Sequence, residues 1–147
     1  MSDLTQLYSQ VILEHDRAPR NHGALAAPSH VAQAHNPLCG DRIRLGLRLE
    51  GDLILEARFE GRGCAISRAS GSLMTEALAG LRVAEAEQLA LRFHELLTPE
   101  GPRLLAPPFA ALSVFAHVRD FPTRTRCAEL AWETLQRALR SEPVEPR

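Results

Sequence analysis

Between Arg42 and Glu60 the chain keeps a two-residue period, and this constrains its fold more than any other feature. Ile43, Leu45, Leu47 and Leu49 alternate with Arg42, Arg44, Gly46 and Arg48. After the turn-forming triplet Glu50-Gly51-Asp52, the residues Leu53, Leu55, Ala57 and Phe59 alternate again, against Ile54, Glu56, Arg58 and Glu60. Side chains on a strand point to opposite faces in turn, so the pattern predicts a β-hairpin with one buried and one wet face. An earlier strand is expected over about Val31 to Ala34.

The flanking segments follow the helical period. Leu4, Leu7, Tyr8, Val11 and Ile12 fall on one face of a helix that Pro19 stops. A second helix opens at Cys64 and runs through Ile66, Ala69, Leu73, Ala77 and Leu78 to Gly80. A third covers about Val83 to Leu97, the Pro- and Gly-rich stretch from Thr98 to Pro108 reads as a loop, and a short helix follows over about Phe109 to Val118. Pro122 reads as a further break. The last helix then starts near Thr125, with Cys127, Leu130, Ala131, Leu135, Ala138 and Leu139 on one side. No repeat or linker divides the chain. The 147 residues therefore predict one α+β domain, a small antiparallel sheet packed against helices, with a frayed tail over about 142–147.

Composition narrows the function classes. Hydrophobic residues make up 45% of the chain but aromatics only 5%, so aliphatic side chains must fill the core. The formal net charge of -1 gives no reason to expect a nucleic-acid or membrane partner. The N-terminal sequence has no secretory pattern, and no stretch approaches the roughly 18 apolar residues of a membrane span. A cytoplasmic protein with reduced thiols is expected. Three cysteines, an odd number, suit no disulfide framework.

The cysteines are therefore buried thiols, metal ligands or reactive groups. Cys39 lies in the turn Asn36-Pro37-Leu38-Cys39-Gly40-Asp41, and Cys64 follows Gly61-Arg62-Gly63 at a helix start. Cys127 is expected in the first turn of the last helix, after Arg124 and Arg126. The positive end of a helix dipole and nearby arginine both favour a thiolate. With Asp41 two residues from Cys39, three thiolates and a carboxylate suit a tetrahedral zinc ion, and the same set can take an iron–sulfur cluster. The spacing is not a paired CxxC pattern, so thiols that merely fill space are the competing reading.

Other motifs carry less. The histidines at 15, 22, 30, 35, 94 and 117 have no ligand spacing and read as surface or loop residues. Gly61-Arg62-Gly63 lacks the lysine of a phosphate loop and reads as a tight approach that turns Cys64 toward a site. Ser67, Ser70 and Ser72 have no histidine base at a hydrolase motif. Trp132 reads as core or contact surface.

Four stretches together resemble a known family: LYSQVILEHDRAPRNHGAL (7–25), NPLCGDRI (36–43), FEGRGCAISRASGSLMTEALAG (59–80) and FPTRTRCAELAWETLQRAL (121–139). They are similar to the U-type scaffolds of iron–sulfur cluster assembly, also called NifU-like or IscU-like, and most of all to their SUF-system branch, SufU. The resemblance implies the SufE/NifU-like fold. It places the family's cysteines on Cys39, Cys64 and Cys127 and its aspartate on Asp41. Where the IscU branch has a histidine before the third cysteine, this chain has Arg126, and its chaperone motif is replaced by Asp120-Phe121-Pro122-Thr123-Arg124. The stretch from Leu81 to Phe121 resembles an insertion of the SufU branch. The resemblance implies a zinc-bound acceptor of persulfide sulfur, a form of zinc-dependent sulfurtransferase. Its partner would be a pyridoxal-phosphate cysteine desulfurase of the SufS type, beside other SUF assembly proteins. Cys39, on a Gly-flanked loop, would be the acceptor; Cys64, Asp41 and Cys127 would anchor the metal, with Arg124 beside them. A scaffold for a transient [2Fe-2S] cluster and a purely structural zinc module are the alternatives.

Overall fold

The computed structural model describes residues 3–37 and 40–144, and side chains from residue 6 onward within that range. Cys39 and Leu38 lie outside the described residues.

Three antiparallel strands, β1 (His30–Asn36), β2 (Asp41–Glu50) and β3 (Leu53–Arg62), form a sheet in the order β1-β2-β3. Helix α1 (Asp3–Arg17) precedes the sheet; α2 (Ala65–Leu78), α3 (Val83–Leu96), a 3-10 helix (Ala110–Val118) and α4 (Pro122–Arg140) follow it. The buried face of β2 is Asp41, Ile43, Leu45 and Leu47. The buried side of the sheet meets α2 at β3 and α4 at β1 and β2, and the apolar stripes of these helices supply Ala69, Leu73 and Leu78 from one and Leu130, Ala131, Leu135 and Ala138 from the other. The expected α+β domain is thus the observed one. No helix among the described residues is long and apolar enough to cross a membrane.

The hairpin register departs from strict alternation. Arg48 pairs with Glu56 but Leu49 pairs with Ile54, so Leu55 is the extra residue of an irregularity in β3. The phase expected for β3 therefore fails at its start: Ile54 is fully buried, whereas Leu55 is 41% exposed. Beyond the irregularity Ala57 and Phe59 point inward as expected.

Pro122 begins a helix and does not break one. The first helical residue has no intrahelical use for its N–H, and the fixed proline φ suits that position. Thr125 N–H accordingly bonds the carbonyl of Phe121 at 3.0 Å. In α1, Ile12 is buried and Tyr8 and Val11 pack against the core, but Leu7 is 53% exposed.

The segment Ala110–Val118 is apolar almost throughout and is wound as a 3-10 helix. It is followed by Arg119, whose buried guanidinium fastens the preceding loop. Its Nη2 donates to the carbonyls of Leu96 and Pro102, both at 2.6 Å, and its Nη1 to Gly101 at 3.1 Å. Trp132 is core: it stacks on Phe93 with ring centres 4.6 Å apart. At the C-terminal end, Val144 N–H donates to the carbonyl of Ser29 at 2.6 Å.

Candidate metal centre

Asp41, Cys64 and Cys127 come from three different elements and converge. Their ligand atoms, one per residue, all lie within 4.8 Å of one another. Asp41 opens β2 and points inward, with 1% of its surface exposed. Its Oδ1 accepts the backbone N–H of Cys64 at 2.9 Å, and the Cys64 thiol donates to Oδ2 at 3.5 Å. Cys64 is the N-cap of α2, as the sequence leads one to expect. The cap N–H is satisfied by a carboxylate 23 residues away in the chain.

Backbone geometry makes this approach possible. Gly63 has φ +143°, a conformation that disfavours a side chain, and a Cβ there would stand 2.0 Å from Oδ1 of Asp41. The glycine triplet therefore acts as the tight approach expected of it. Arg68 holds the same corner from behind. Its Nε donates to Oδ1 of Asp16 at 3.0 Å and its Nη1 to the carbonyl of Gly61 at 3.1 Å, tying the end of α1 to the end of β3.

Cys127 is the sixth residue of α4 and is buried, beyond the first turn where it was expected. Ser70 on α2 donates to the carbonyl of Ala128 at 2.6 Å, clasping α2 to α4 beside the thiol. Burial pushes the Cys127 thiol far up from its usual range, and the neighbouring Asp41 and Cys64 act in the same direction. This reverses the expected thiolate preference. Arg124 and Arg126 are exposed on the surface of α4, whereas the sulfur lies inside. The guanidinium of Arg124 sits 4.8 Å from the centre of the Phe121 ring, one turn before Cys127.

The donor set fits a soft divalent cation. Two thiols and a carboxylate, mostly withdrawn from water, resist carrying negative charge together unless a cation lies between them. Zinc takes sulfur and carboxylate ligands in a tetrahedral arrangement. Cys39 lies outside the described residues, but both flanks of its loop are in view. Asn36 pairs with Asp41 across the end of the β1–β2 ladder, and Gly40 N–H donates to the carbonyl of Asn36 at 2.8 Å.

Three polar residues have roles that sequence reasoning missed. His15, read as a surface or loop residue, is buried, with Nδ1 2.7 Å from Oγ of Ser72. That hydroxyl also accepts the N–H of Arg20 at 2.8 Å. Ser70 and Ser72 thus join helices, and their partners are 58 and 57 residues away, where no local motif points to them.

The family model of the NifU-like N-terminal domain matches residues 7–100. The zinc-dependent sulfurtransferase SufU of Bacillus subtilis (strain 168) is 38% identical over 142 residues, 96% of this chain and 95% of its own length. An iron–sulfur cluster assembly scaffold protein, IscU, of Streptococcus pyogenes serotype M1 is also 38% identical, over 95% of this chain and 87% of its own. Among solved structures, the N-terminal part of a nitrogen-fixing NifU-like protein from Brucella abortus superposes with a TM-score of 0.84 at 27% identity. That match covers 95% of this chain and 96% of the other.

Proposed function

The chain belongs to the NifU-like N-terminal domain family, whose work is iron–sulfur cluster assembly, and within that work we propose that it is a zinc-bound acceptor and carrier of persulfide sulfur. The convergence of Asp41, Cys64 and Cys127 carries this reading. Cys39 is the fourth ligand of the proposed site. It is two residues from Asp41, which limits their Cα separation to roughly 7 Å. A bound zinc ion supplies the positive charge that lets these thiols exist as thiolates at neutral pH.

In the proposed division of labour, Cys64 and Cys127 anchor, since one is fixed at a helix cap and the other is buried in a helix. Asp41 is the more exchangeable partner, because a carboxylate holds a soft ion less firmly than a thiolate does. Cys39, in the connection between β1 and β2, is the nucleophile. Its thiolate attacks the outer sulfur of a persulfide on a pyridoxal-phosphate cysteine desulfurase. The sulfur–sulfur bond there breaks, the donor cysteine leaves as a thiolate, and the persulfide now resides on Cys39. Arg124, exposed one turn before Cys127, is proposed to offer a charge-assisted bond to that anion. The setting proposed is the reducing cytoplasm, beside other SUF assembly proteins.

The likeness to the streptococcal scaffold keeps a second reading in view, a transient [2Fe-2S] cluster as cargo of the same residues. Arg126 cannot ligate iron, and its position beside Cys127 favours the sulfur-carrier reading. The deciding experiment incubates the zinc-loaded protein with a cysteine desulfurase and cysteine. Persulfides are then mapped by mass spectrometry in the wild type and in Cys39→Ala, Cys64→Ala and Cys127→Ala. Persulfide on Cys39, lost only with Cys39→Ala while the fold survives, is the expected result. Persulfide on Cys64 or Cys127 with Cys39 unmodified would overturn the roles. A stable cluster with no persulfide at all would install the scaffold reading.

A further inference from the structure

The wet face of the sheet carries charge unevenly along its length. At the end remote from the metal centre, Arg48 lies opposite Glu56 and is ion-paired with it at 3.1 Å. At the end near the centre, His35 lies opposite Arg42 and Arg42 opposite Arg62, a row of three basic side chains across all three strands. All three are exposed, and none forms an ion pair among the described residues. Arg44, on the next rung, faces Glu60. Arg137 reaches the strand edge from α4, donating to the carbonyl of Gln33 at 3.2 Å. Together these residues line an open depression of about 570 Å³, four arginines against the single carboxylate of Glu60.

Like charges directly opposite on neighbouring strands destabilise a sheet. The Arg42–Arg62 pair therefore carries a cost that a complementary negative surface would remove, and its local field is far from the overall charge of -1. Its place in the fold is equally specific. Arg42 directly follows Asp41, and Arg62 directly precedes Gly63, the glycine that lets Asp41 and Cys64 meet. The row and the metal centre therefore share one end of the sheet, the row on its wet face and Asp41 on its buried face.

Resting on the sulfur-carrier reading above, we propose that the His35–Arg42–Arg62 row is the docking surface for an acidic patch on the sulfur-donating protein. A folded protein suits the row better than a nucleic acid does. The basic stretch spans two rungs of a three-stranded sheet, and among the described residues no Phe, Tyr or Trp lines the depression to stack on bases. Docking here is an electrostatic steering device: it governs encounter and half-saturation and leaves the transfer step to the cysteines.

The test is Arg42→Glu in the zinc-loaded protein, with Arg92→Glu on the exposed face of α3 as the control. Arg42→Glu creates an opposite-charge pair with Arg62 across the strands, so its melting temperature and zinc content should hold or rise. Stimulation of a cysteine desulfurase is measured against carrier concentration at low and high salt. The expected result is a rise of about tenfold in the half-saturating concentration at low salt, an unchanged rate at saturation, and a flattened salt dependence. Arg92→Glu should match the wild type. An unchanged half-saturating concentration for Arg42→Glu, or an equal rise for Arg92→Glu, would overturn the proposal while wild-type stimulation leaves the sulfur-carrier reading standing. Binding of a single-stranded RNA oligomer that depends on Arg42, with desulfurase half-saturation unmoved, would overturn it in favour of a nucleic acid. Failure of the wild type itself to stimulate the desulfurase or take up sulfur would bring down both.

Discussion

Gly63 lies so close to Asp41 that a methyl group on its Cα would stand 2.0 Å from Oδ1 and 2.5 Å from Cγ. Gly63→Ala must therefore displace the carboxylate that touches Cys64. The expected outcome is a loss of about 2–3 kcal/mol of stability from overpacking and strain. Zinc affinity should fall by about tenfold or more, as for a residue that orients a ligand. Gly80→Ala is the matched control: its φ is also positive, +90°, but nothing lies within 4 Å of the added carbon. It should lose about 1 kcal/mol and leave zinc affinity unchanged. Thermal denaturation and competition with a chromophoric chelator measure both.

Asp41 both caps α2 through the Cys64 N–H and offers an oxygen to the proposed site. In the zinc-free protein, Asp41→Ala should cost about 1–3 kcal/mol, the penalty for orphaning a withdrawn donor. Asp41→Asn keeps an acceptor and should cost less. Both variants should bind zinc more weakly, and both should stay folded. Urea denaturation of the zinc-free forms separates the cap from the ligand, and an Asp41→Ala variant with wild-type zinc affinity would reduce the residue to its structural role.

Because Asp41, Cys64 and Cys127 stand on β2, the start of α2 and α4, ion binding should become folding energy. At a thousandfold excess of free zinc over its dissociation constant the gain is about 4 kcal/mol. For a chain of this size that corresponds to a fall of about 10 °C in melting temperature on chelation. In Cys127→Ala, chelation should change the melting temperature far less.

His15 ties α1 to α2, and its pKa is held below the ordinary histidine value by burial first and by Arg20 next; Glu14 and Glu76 oppose them. The folded state thus refuses a proton that the unfolded chain accepts. As pH falls below about 6.5, the unfolded state binds more protons and stability declines. Above about pH 7.5 both states are neutral at this residue and it contributes no pH dependence. His15→Asn, which can still bond Ser72, should flatten the fall in melting temperature between pH 7 and pH 5. Equal slopes for variant and wild type would show that His15 is not the group responsible.

Local periodicity was enough to identify the elements of this protein. The alternation from Ile43 to Leu49 and the helical spacing from Leu130 to Ala138 reflect side chains a few residues apart, so the chain itself specifies which face of each element is apolar. The helix start at Cys64 and the glycine before it were legible for the same reason. Contacts between elements were not. The phase of Leu55 depends on a ladder irregularity opposite Leu49, and the helical start at Pro122 on a position where a missing N–H is harmless. The protonation of Cys127 follows from its distance from solvent. Its neighbours in sequence, Arg124 and Arg126, point to a thiolate, but its neighbours in space are Asp41, Cys64 and a packed helix pair. Sequence determined which groups are available and which surfaces must be hidden. Tertiary packing decided which groups meet and how much water they keep, because burial and long-range register arise only when separate elements close on one another.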